Sequence, residues 1–480
     1  MRARVSQQHA VAVVYVAAMF VSIMDITIVN VALPTIGRRF DVTPASVDTV
    51  AIAFLVSLAV FMPASGWLGD RFGGKRVLLS AIILFTVASA LCGLAASLTE
   101  LVLFRILQGA GGGMLMPVGM AMLFRAFPPA ERIRAASILA VPTALAPAVG
   151  PVLGGLLVTH LSWRDVFFVN IPIGIVAVAF GAATLRSAPE DNPGHLDLGG
   201  FLLAALGLGS LMYGVSEGPF RSWGSTDVVV TIAVGAAVLA GMVLYELRQR
   251  IPMVDLRQLG DRNFRVFTAV GFATMATLLG TLYAVTLFFQ DGRGMSALAA
   301  GLSTAPEAVG VMVGAQLVGR VLYPRLGPRR NLVVGCIGIT VFIAALALVG
   351  ATTNLWVPRL LLLAMGVFLG QAFVTTQAAA FATVPPASLG RASTLFNALR
   401  QVGGAVGVAA LTTVIVAVGA RHVVDHRSVA DLSAYHAAFI AGAALALLSA
   451  LGALAIDDGA SRPAPTGDAD AERARAAVSA

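Results

Sequence analysis

The sequence predicts an all-α polytopic membrane protein: 14 transmembrane helices, arranged as two pseudo-symmetric six-helix bundles plus two inserted helices. Three observations predict it. Fourteen apolar stretches, most close to the ~20 residues a helix needs to cross a bilayer core, run along nearly the whole chain. Hydrophobic residues make up 58% of the sequence and charged residues only 12%, against about 25% charged in ordinary soluble domains. Basic residues fall unevenly between alternate connections, about 22 on one side and about 8 on the other. By the positive-inside rule this places both termini in the cytoplasm and requires an even number of crossings. The net charge of +8 therefore orients the chain in a membrane and does not point to nucleic acid.

Taken in order, residues 1–190 hold apolar stretches at 10–33, 47–67, 77–96, 101–123, 135–158 and 166–185, the first six-helix bundle. The first stretch is too long for a cleaved signal peptide and lacks a convincing cleavage site, so it reads as a retained span. Residues 191–262 carry stretches at 198–215 and 228–245, two inserted linker helices followed by a basic cytoplasmic loop. Residues 263–456 repeat the pattern with stretches at 267–289, 298–318, 332–350, 355–376, 396–419 and 437–456. A polar, alanine-rich tail at 457–480 reads as mobile. The halves echo one another. The short basic, glycine-punctuated connection 66–76 has a weaker counterpart at 319–330, and Arg105 near the start of the fourth span is mirrored by Arg359 near the start of the twelfth. Repeated halves with a site at their interface are a common plan of secondary transporters.

Ionisable residues inside spans are expensive and are functional candidates by default. Asp25 lies roughly 12 Å and Glu307 roughly 14 Å below the outer ends of their spans, with Arg105 about 6 Å deep in the fourth. A carboxylate at that depth, poised between desolvation and a nearby guanidinium, could switch its protonation on small rearrangements. The bland readings are a static Asp25–Arg105 salt bridge and a Glu307 at a cavity rim. Arg400 either snorkels to the surface or lines a polar cavity with Asn30, Asn397 and Gln401. Tyr15, Met19, Met24, Phe54, Met114, Met116, Phe288 and Phe289 have the adaptable side chains of a pocket for varied apolar ligands, although most are expected to be packing residues. Cys92 and Cys336 fall inside apolar spans and read as packing residues. His160, His195, His422, His426 and His436 lack metal-ligand spacing, and no metal site is expected.

Gly66-Trp67-Leu68-Gly69-Asp70-Arg71-Phe72-Gly73-Gly74-Lys75-Arg76 resembles the signature loop of the major facilitator superfamily. Three stretches narrow the resemblance to its fourteen-span drug:proton antiporters. They are Met24-Asp25-Ile26-Thr27-Ile28-Val29-Asn30-Val31-Ala32-Leu33-Pro34, Leu145-Ala146-Pro147-Ala148-Val149-Gly150-Pro151-Val152-Leu153-Gly154-Gly155, and Trp163-Arg164-Asp165-Val166-Phe167-Phe168-Val169-Asn170-Ile171-Pro172. Asn397-Ala398-Leu399-Arg400-Gln401-Val402-Gly403-Gly404 also resembles that family.

Arg105 matches the arginine that the family places in span four, for which the resemblance implies a role in proton transfer, and with Asp25 and Glu307, singled out above by depth and charge, it forms the expected proton-coupling set. The resemblance also implies a gate in which Gly66, Asp70, Arg71, Gly73, Lys75 and Arg76 hold the cytoplasmic face shut. Pro324 stands where Asp70 would align in the second half, which is therefore expected to lack an equivalent latch. Pro147, Gly150, Pro151, Gly154 and Gly155 match the antiporter motif, either sealing against proton leak or simply packing helices. The implied protein is a monomeric, proton-driven exporter of amphipathic, cationic small molecules in a bacterial plasma membrane, with no cofactor. A dedicated exporter of a lipid, metabolite or endogenous antibiotic on the same scaffold is the alternative. A membrane-embedded enzyme or sensor is disfavoured, because no nucleophile–base pair, metal-ligand cluster or phosphate-binding loop is present in the sequence.

Overall fold

The computed structural model describes residues 6–128, 131–186, 197–249, 252–419, 421–424 and 427–456. Arg2, Arg4, His195, Arg250, His426 and the tail at 457–480 lie outside the described residues. The chain begins with α1 (Gln7–Phe40), α2 (Pro44–Phe61), α3 (Ala64–Phe72), α4 (Gly74–Leu94), α5 (Leu98–Ala126), α6 (Arg132–His160), α7 (Asp165–Phe168) and α8 (Asn170–Thr184). There follow α9 (Leu198–Arg221) and α10 (Thr226–Arg248), then α11 (Arg262–Leu287), α12 (Ala297–Leu317), α13 (Tyr323–Leu346), α14 (Trp356–Ala380), α15 (Leu389–Val418) and α16 (Leu432–Ala453).

Local chemistry sets the boundaries. Ser97 accepts from Glu100 N–H while the Glu100 carboxylate accepts from Ala96 N–H, which satisfies two otherwise unpaired donors at the start of α5. Asp261 and Ser296 cap α11 and α12 by accepting from the N–H groups of Phe264 and Ala299. The second apolar stretch breaks at Met62–Pro63, where proline removes a backbone donor, and α2 meets α3 at a 54° bend. Only Gly73 separates α3 from α4. Its φ of 83° lies in the left-handed region, which glycine enters without steric cost. Segment 66–76 is thus two helix ends and a one-residue hinge rather than an extended loop.

Twelve described helices are long and apolar enough to cross a membrane, or thirteen with the bent α2–α3 pair, so the protein is a multi-pass membrane protein. A feature not expected from the sequence is a short antiparallel hairpin between α15 and α16. Strand β1 (Arg421–Val424) pairs with β2 (Arg427–Ala430), Arg421 opposite Ala430. It lies in a polar connection outside the spans, where hydropathy carries no periodic signal.

Packing follows a regular scheme. Among α1–α8, α1 packs on α6, α5 and α8; α2 on α5; and α4 on α5 and α8. Among α11–α16, α11 packs on α15, α14 and α16; α12 on α14; and α13 on α14 and α16. Contacts between the two sets run through α3 and α5 against α15, and through α6 against α12 and α14. α9 leans on α2 and α15, and α10 packs on α9. Trp223 ties this hairpin to α15 by donating to Thr413 Oγ1 at 2.9 Å.

Candidate transport site

Asp25 is fully buried in the centre of α1 and is saturated with donors. Arg105 Nη1 donates to Asp25 Oδ2 at 2.5 Å, while Gln108 Nε2 and Asn170 Nδ2 donate to Oδ1 at 3.0 and 2.8 Å. Arg105 also donates through Nε to the Val50 carbonyl at 3.2 Å and through Nη1 to Gln108 Oε1 at 2.7 Å. Its guanidinium lies 4.1 Å from the Phe54 ring centroid. Asn170 hands the network on to Ser89 Oγ, which donates to the Phe167 carbonyl. One carboxylate therefore ties together α1, α2, α4, α5, α7 and α8. A buried pair with its remaining lone pairs and protons satisfied holds its neighbours in register, and removal of one partner strands the other charge.

Glu307 is buried as well, 6% exposed, yet among the described residues no hydrogen bond or ion pair involves its carboxylate, and it pairs with neither Asp25 nor Arg105. At about 100° per residue it points away from the lipid-exposed Leu302, Val309 and Val313. It sits between Gly310 and Gly314, which abut α14, and Gly301, which abuts Pro151 of α6. Its side chain is therefore directed to the seam between α6 and α14. Among the described residues no cation or hydrogen-bond donor compensates a charge there.

One end of the molecule is shut by contacts between the two sets of helices. Arg125 of α5 donates to Asp70 Oδ1 at 3.3 Å and to the Pro386 carbonyl at 3.4 Å, just before α15. Asp70 Oδ1 lies beside Gly390 in the first turn of α15, where the helix dipole favours a negative charge. Gly66 faces Gly390 and Thr394 so closely that a Cβ would meet Thr394 Oγ1 at 2.7 Å. Arg132 donates to the Phe381 carbonyl, and Ser393 donates to the Pro117 carbonyl at 2.9 Å. Phe381 gathers Phe124, Phe396 and Phe264 around it, with ring centroids 5.0, 5.2 and 6.1 Å away. Of the remaining expected gate residues, Lys75 instead caps α8, donating to the Ala182 and Leu185 carbonyls at 2.9 and 2.6 Å. Arg71 and Arg76 are exposed and make no hydrogen bond or ion pair among the described residues.

In α6, Gly150 and Gly154 press against Thr27 and Ile28 of α1, and a Cβ on Gly154 would lie 3.0 Å from Ile28 Cγ1. Gly155 has nothing within 4 Å of its Cβ position, and Pro147 and Pro151 lie inside the helix without ending it. Such prolines are tolerated where neighbouring helices re-satisfy the backbone.

Arg400 is not near a helix end. Because α15 starts at Leu389, Arg400 lies about 16 Å along the helix, too deep to be read as a surface snorkel. Its guanidinium sits 4.7 Å from the Phe373 centroid and 5.4 Å from that of Phe396, with Nη2 3.6 Å from Met275 Sδ. Asn397, one turn earlier, donates to Met120 Sδ of α5 at 3.0 Å. Gln401 is half-buried, and Asn30 is exposed on α1. Of the expected pocket residues, Tyr15, Met24, Phe54, Phe288 and Phe289 are packed in the interior, and Tyr15 donates to the Met116 carbonyl.

Sequence reasoning missed Gln108 and Asn170 around Asp25, and Arg125, Arg132 and Phe381 at the closed end. The first two were visible as polar residues inside apolar stretches, Gln108 one turn from Arg105. The other three are brought in by tertiary packing and carry no local signal. Among the described residues no three His, Cys, Asp or Glu side chains group as metal ligands.

Many apolar helices, a charged network inside one set of them and a seal between the two sets define a polytopic membrane carrier. Residues 15–408 match the Major Facilitator Superfamily, and the chain belongs to that family; it is a transporter and not an enzyme. It is 31% identical over 409 residues, 84% of this chain and 75% of the other, to the multidrug resistance protein B homolog of Mycobacterium tuberculosis. It is also 31% identical over 445 residues, 91% of this chain and 90% of the other, to a putative multidrug resistance protein MdtD of Serratia proteamaculans. The tetracenomycin C resistance and export protein of Streptomyces glaucescens is 31% identical over 389 residues, 81% of this chain and 72% of that protein. The crystal structure of the human organic anion transporter MFSD10 superposes with a TM-score of 0.68 at 15% identity, over 94% of this chain and all of the other. The proton:xylose symporter XylE gives 0.63 at 12% identity, over 93% and 94%. These two likenesses concern the fold.

Proposed function

We propose that the protein is a proton-coupled exporter of amphipathic small molecules, working by alternating access in a bacterial plasma membrane with both termini cytoplasmic. The observation that carries this reading is the seal itself. Arg125 to the Pro386 carbonyl, Asp70 and Gly66 against Gly390, and the Phe381 cluster all join one half of the chain to the other at a single end, as a gate in a rocking carrier must.

Two six-helix bundles are supported by the recurrence of one packing scheme. In each half the first helix touches the fourth, fifth and sixth, the second touches the fourth, and the third touches the fourth and sixth. A count of fourteen crossings is supported by the twelve apolar helices, the bent α2–α3 pair and a division of Leu298–Leu346 at Gly327. That 49-residue stretch would be about 74 Å long as one helix, more than twice a bilayer core, and Gly327 (φ 72°) breaks it. The sequence expectation put Asp25 first as the proton carrier. The geometry favours Glu307, which is uncompensated at the seam, while Asp25 is fully engaged in holding the first bundle together.

Inverted membrane vesicles energised by respiration test the reading, with ethidium, pyrenebutyrate and pyrenebutyrate methyl ester as probes. Protein-dependent accumulation of at least one probe, abolished by a protonophore, is expected. Accumulation indifferent to the protonophore overturns proton coupling. A dedicated exporter of a self-made compound remains the second reading, favoured by the similarity to a tetracenomycin resistance and export protein.

A further inference from the structure

Two arginines lie deep among the helices, and their surroundings differ. Arg105 is neutralised by Asp25 at 2.5 Å. Arg400 has no such partner: among the described residues no carboxylate pairs with it, its guanidinium meets the Met275 thioether sulfur at 3.6 Å, and the neutral Tyr15 phenol lies within electrostatic reach. A thioether is a weak acceptor and leaves a guanidinium's charge essentially uncompensated. The faces of Phe373 and Phe396 offset part of the desolvation through the ring quadrupole, but they are not counter-ions.

The position of Arg400 on α15 gives its direction. At about 100° per residue it falls between Ser393 and Asn397, which reach Pro117 and Met120 of α5, and Gly403 and Gly407, which abut Phe272 and Ala276 of α11. It therefore points to the seam between the halves, one turn above Phe396, which packs on Phe381 at the closed end, and about 16 Å along α15 from its start. Sites at that depth, on the interface of repeated halves, are where carriers hold cargo. Unlike Asp25, it is half-buried rather than sealed in.

We infer that Arg400 is the anchor for an acidic group on the cargo, and that the cargo class is amphipathic aromatic acids bound as anions. A carboxylate or enolate would take bidentate hydrogen bonds from the guanidinium, and the ring system would lie against Phe373, Phe396 and Met275. The inference rests on the export reading and replaces the expected cationic cargo. That expectation came from the family resemblance; the buried carboxylate best placed to meet a cation, Asp25, has its charge consumed by Arg105.

The test uses three probes with one ring: pyrenebutyrate, its methyl ester and pyrenebutylamine. Binding to purified protein in detergent is measured by pyrene emission, and transport is measured in proteoliposomes with an imposed pH gradient. The wild type, Arg400→Lys and Arg400→Gln are compared after size-exclusion chromatography confirms a monodisperse fold.

The wild type is expected to bind the acid at least tenfold more tightly than the amine. The acid-to-ester affinity ratio should fall at least tenfold in Arg400→Gln and be partly retained in Arg400→Lys. Equal affinity for acid and amine, or a ratio unchanged in Arg400→Gln, overturns the assignment. Displacement of the acid by chloride alone at 100 mM overturns it too, because Arg400 would then be a simple counter-ion site. If the acid binds in an Arg400-dependent way yet no probe moves under any gradient, the export reading fails and the binding assignment stands. If probes move while the ratio is unaltered, the reverse holds.

Discussion

Replacing Asp25 by Asn separates a structural pair from a proton carrier. The carboxylate accepts from Arg105, Gln108 and Asn170, and both members of the Arg105 pair are at most 1% exposed. Breaking such a pair typically costs about 3–5 kcal/mol, because the surviving charge is buried without its partner. Arg105 keeps the Val50 carbonyl, Gln108 and the Phe54 face, so the lower end, about 3 kcal/mol, is expected. That is more than a hundredfold in the unfolding equilibrium. Arg105→Gln should cost about as much. The double variant should cost less than the sum of the two, with a coupling of about 2 kcal/mol, since residues in one network are non-additive. The assay is SDS-induced unfolding in mixed micelles, followed by tryptophan fluorescence. Single variants within about 1 kcal/mol of wild type, or strict additivity, would refute the reasoning. In vesicles the stable double variant should keep protonophore-sensitive efflux. Its complete loss in a folded protein would return the proton to Asp25.

Glu307→Gln should preserve the fold and probe binding while removing dependence of efflux on the pH gradient; unchanged gradient dependence excludes Glu307. Asp70→Asn weakens the contact with Arg125 and the first turn of α15, so turnover should fall severalfold with probe affinity within about threefold. Gly154→Val overpacks the α1–α6 contact and should lower stability by about 1–3 kcal/mol, whereas Gly155→Ala, with open space, should change it by less than about 0.5 kcal/mol. Equal effects at the two glycines would show that the motif does not act through this contact.

Much of the architecture was legible because crossing a bilayer leaves one conspicuous mark, a long apolar stretch. Its limits show where that mark fades. The 66–76 segment looked like a loop because it is rich in glycine and charge, yet only Gly73 is non-helical. Arg400 looked like a residue near a helix start because hydropathy rises only at Phe396, whereas α15 begins seven residues earlier in a polar turn. The Asp25–Arg105 pair could be guessed from two lone charges at similar depth. Nothing in the sequence showed that Gln108 and Asn170 complete it, or that Glu307 stands apart, because partners on different helices are chosen by packing. The closed end was half legible: the glycines and Asp70 carry a recognisable pattern, while Arg125, Arg132 and Phe381 act through positions only the fold brings together.

The most direct measurement of the central claim is proton flux in proteoliposomes of uniform orientation, loaded with a pH-sensitive dye and given pyrenebutyrate, its ester or ethidium on the cargo-loading side. Coupled exchange predicts proton movement opposite to that of a transported probe, saturating with its concentration and absent in Glu307→Gln. Cargo movement with no accompanying change in dye signal, at any imposed gradient or voltage, contradicts it.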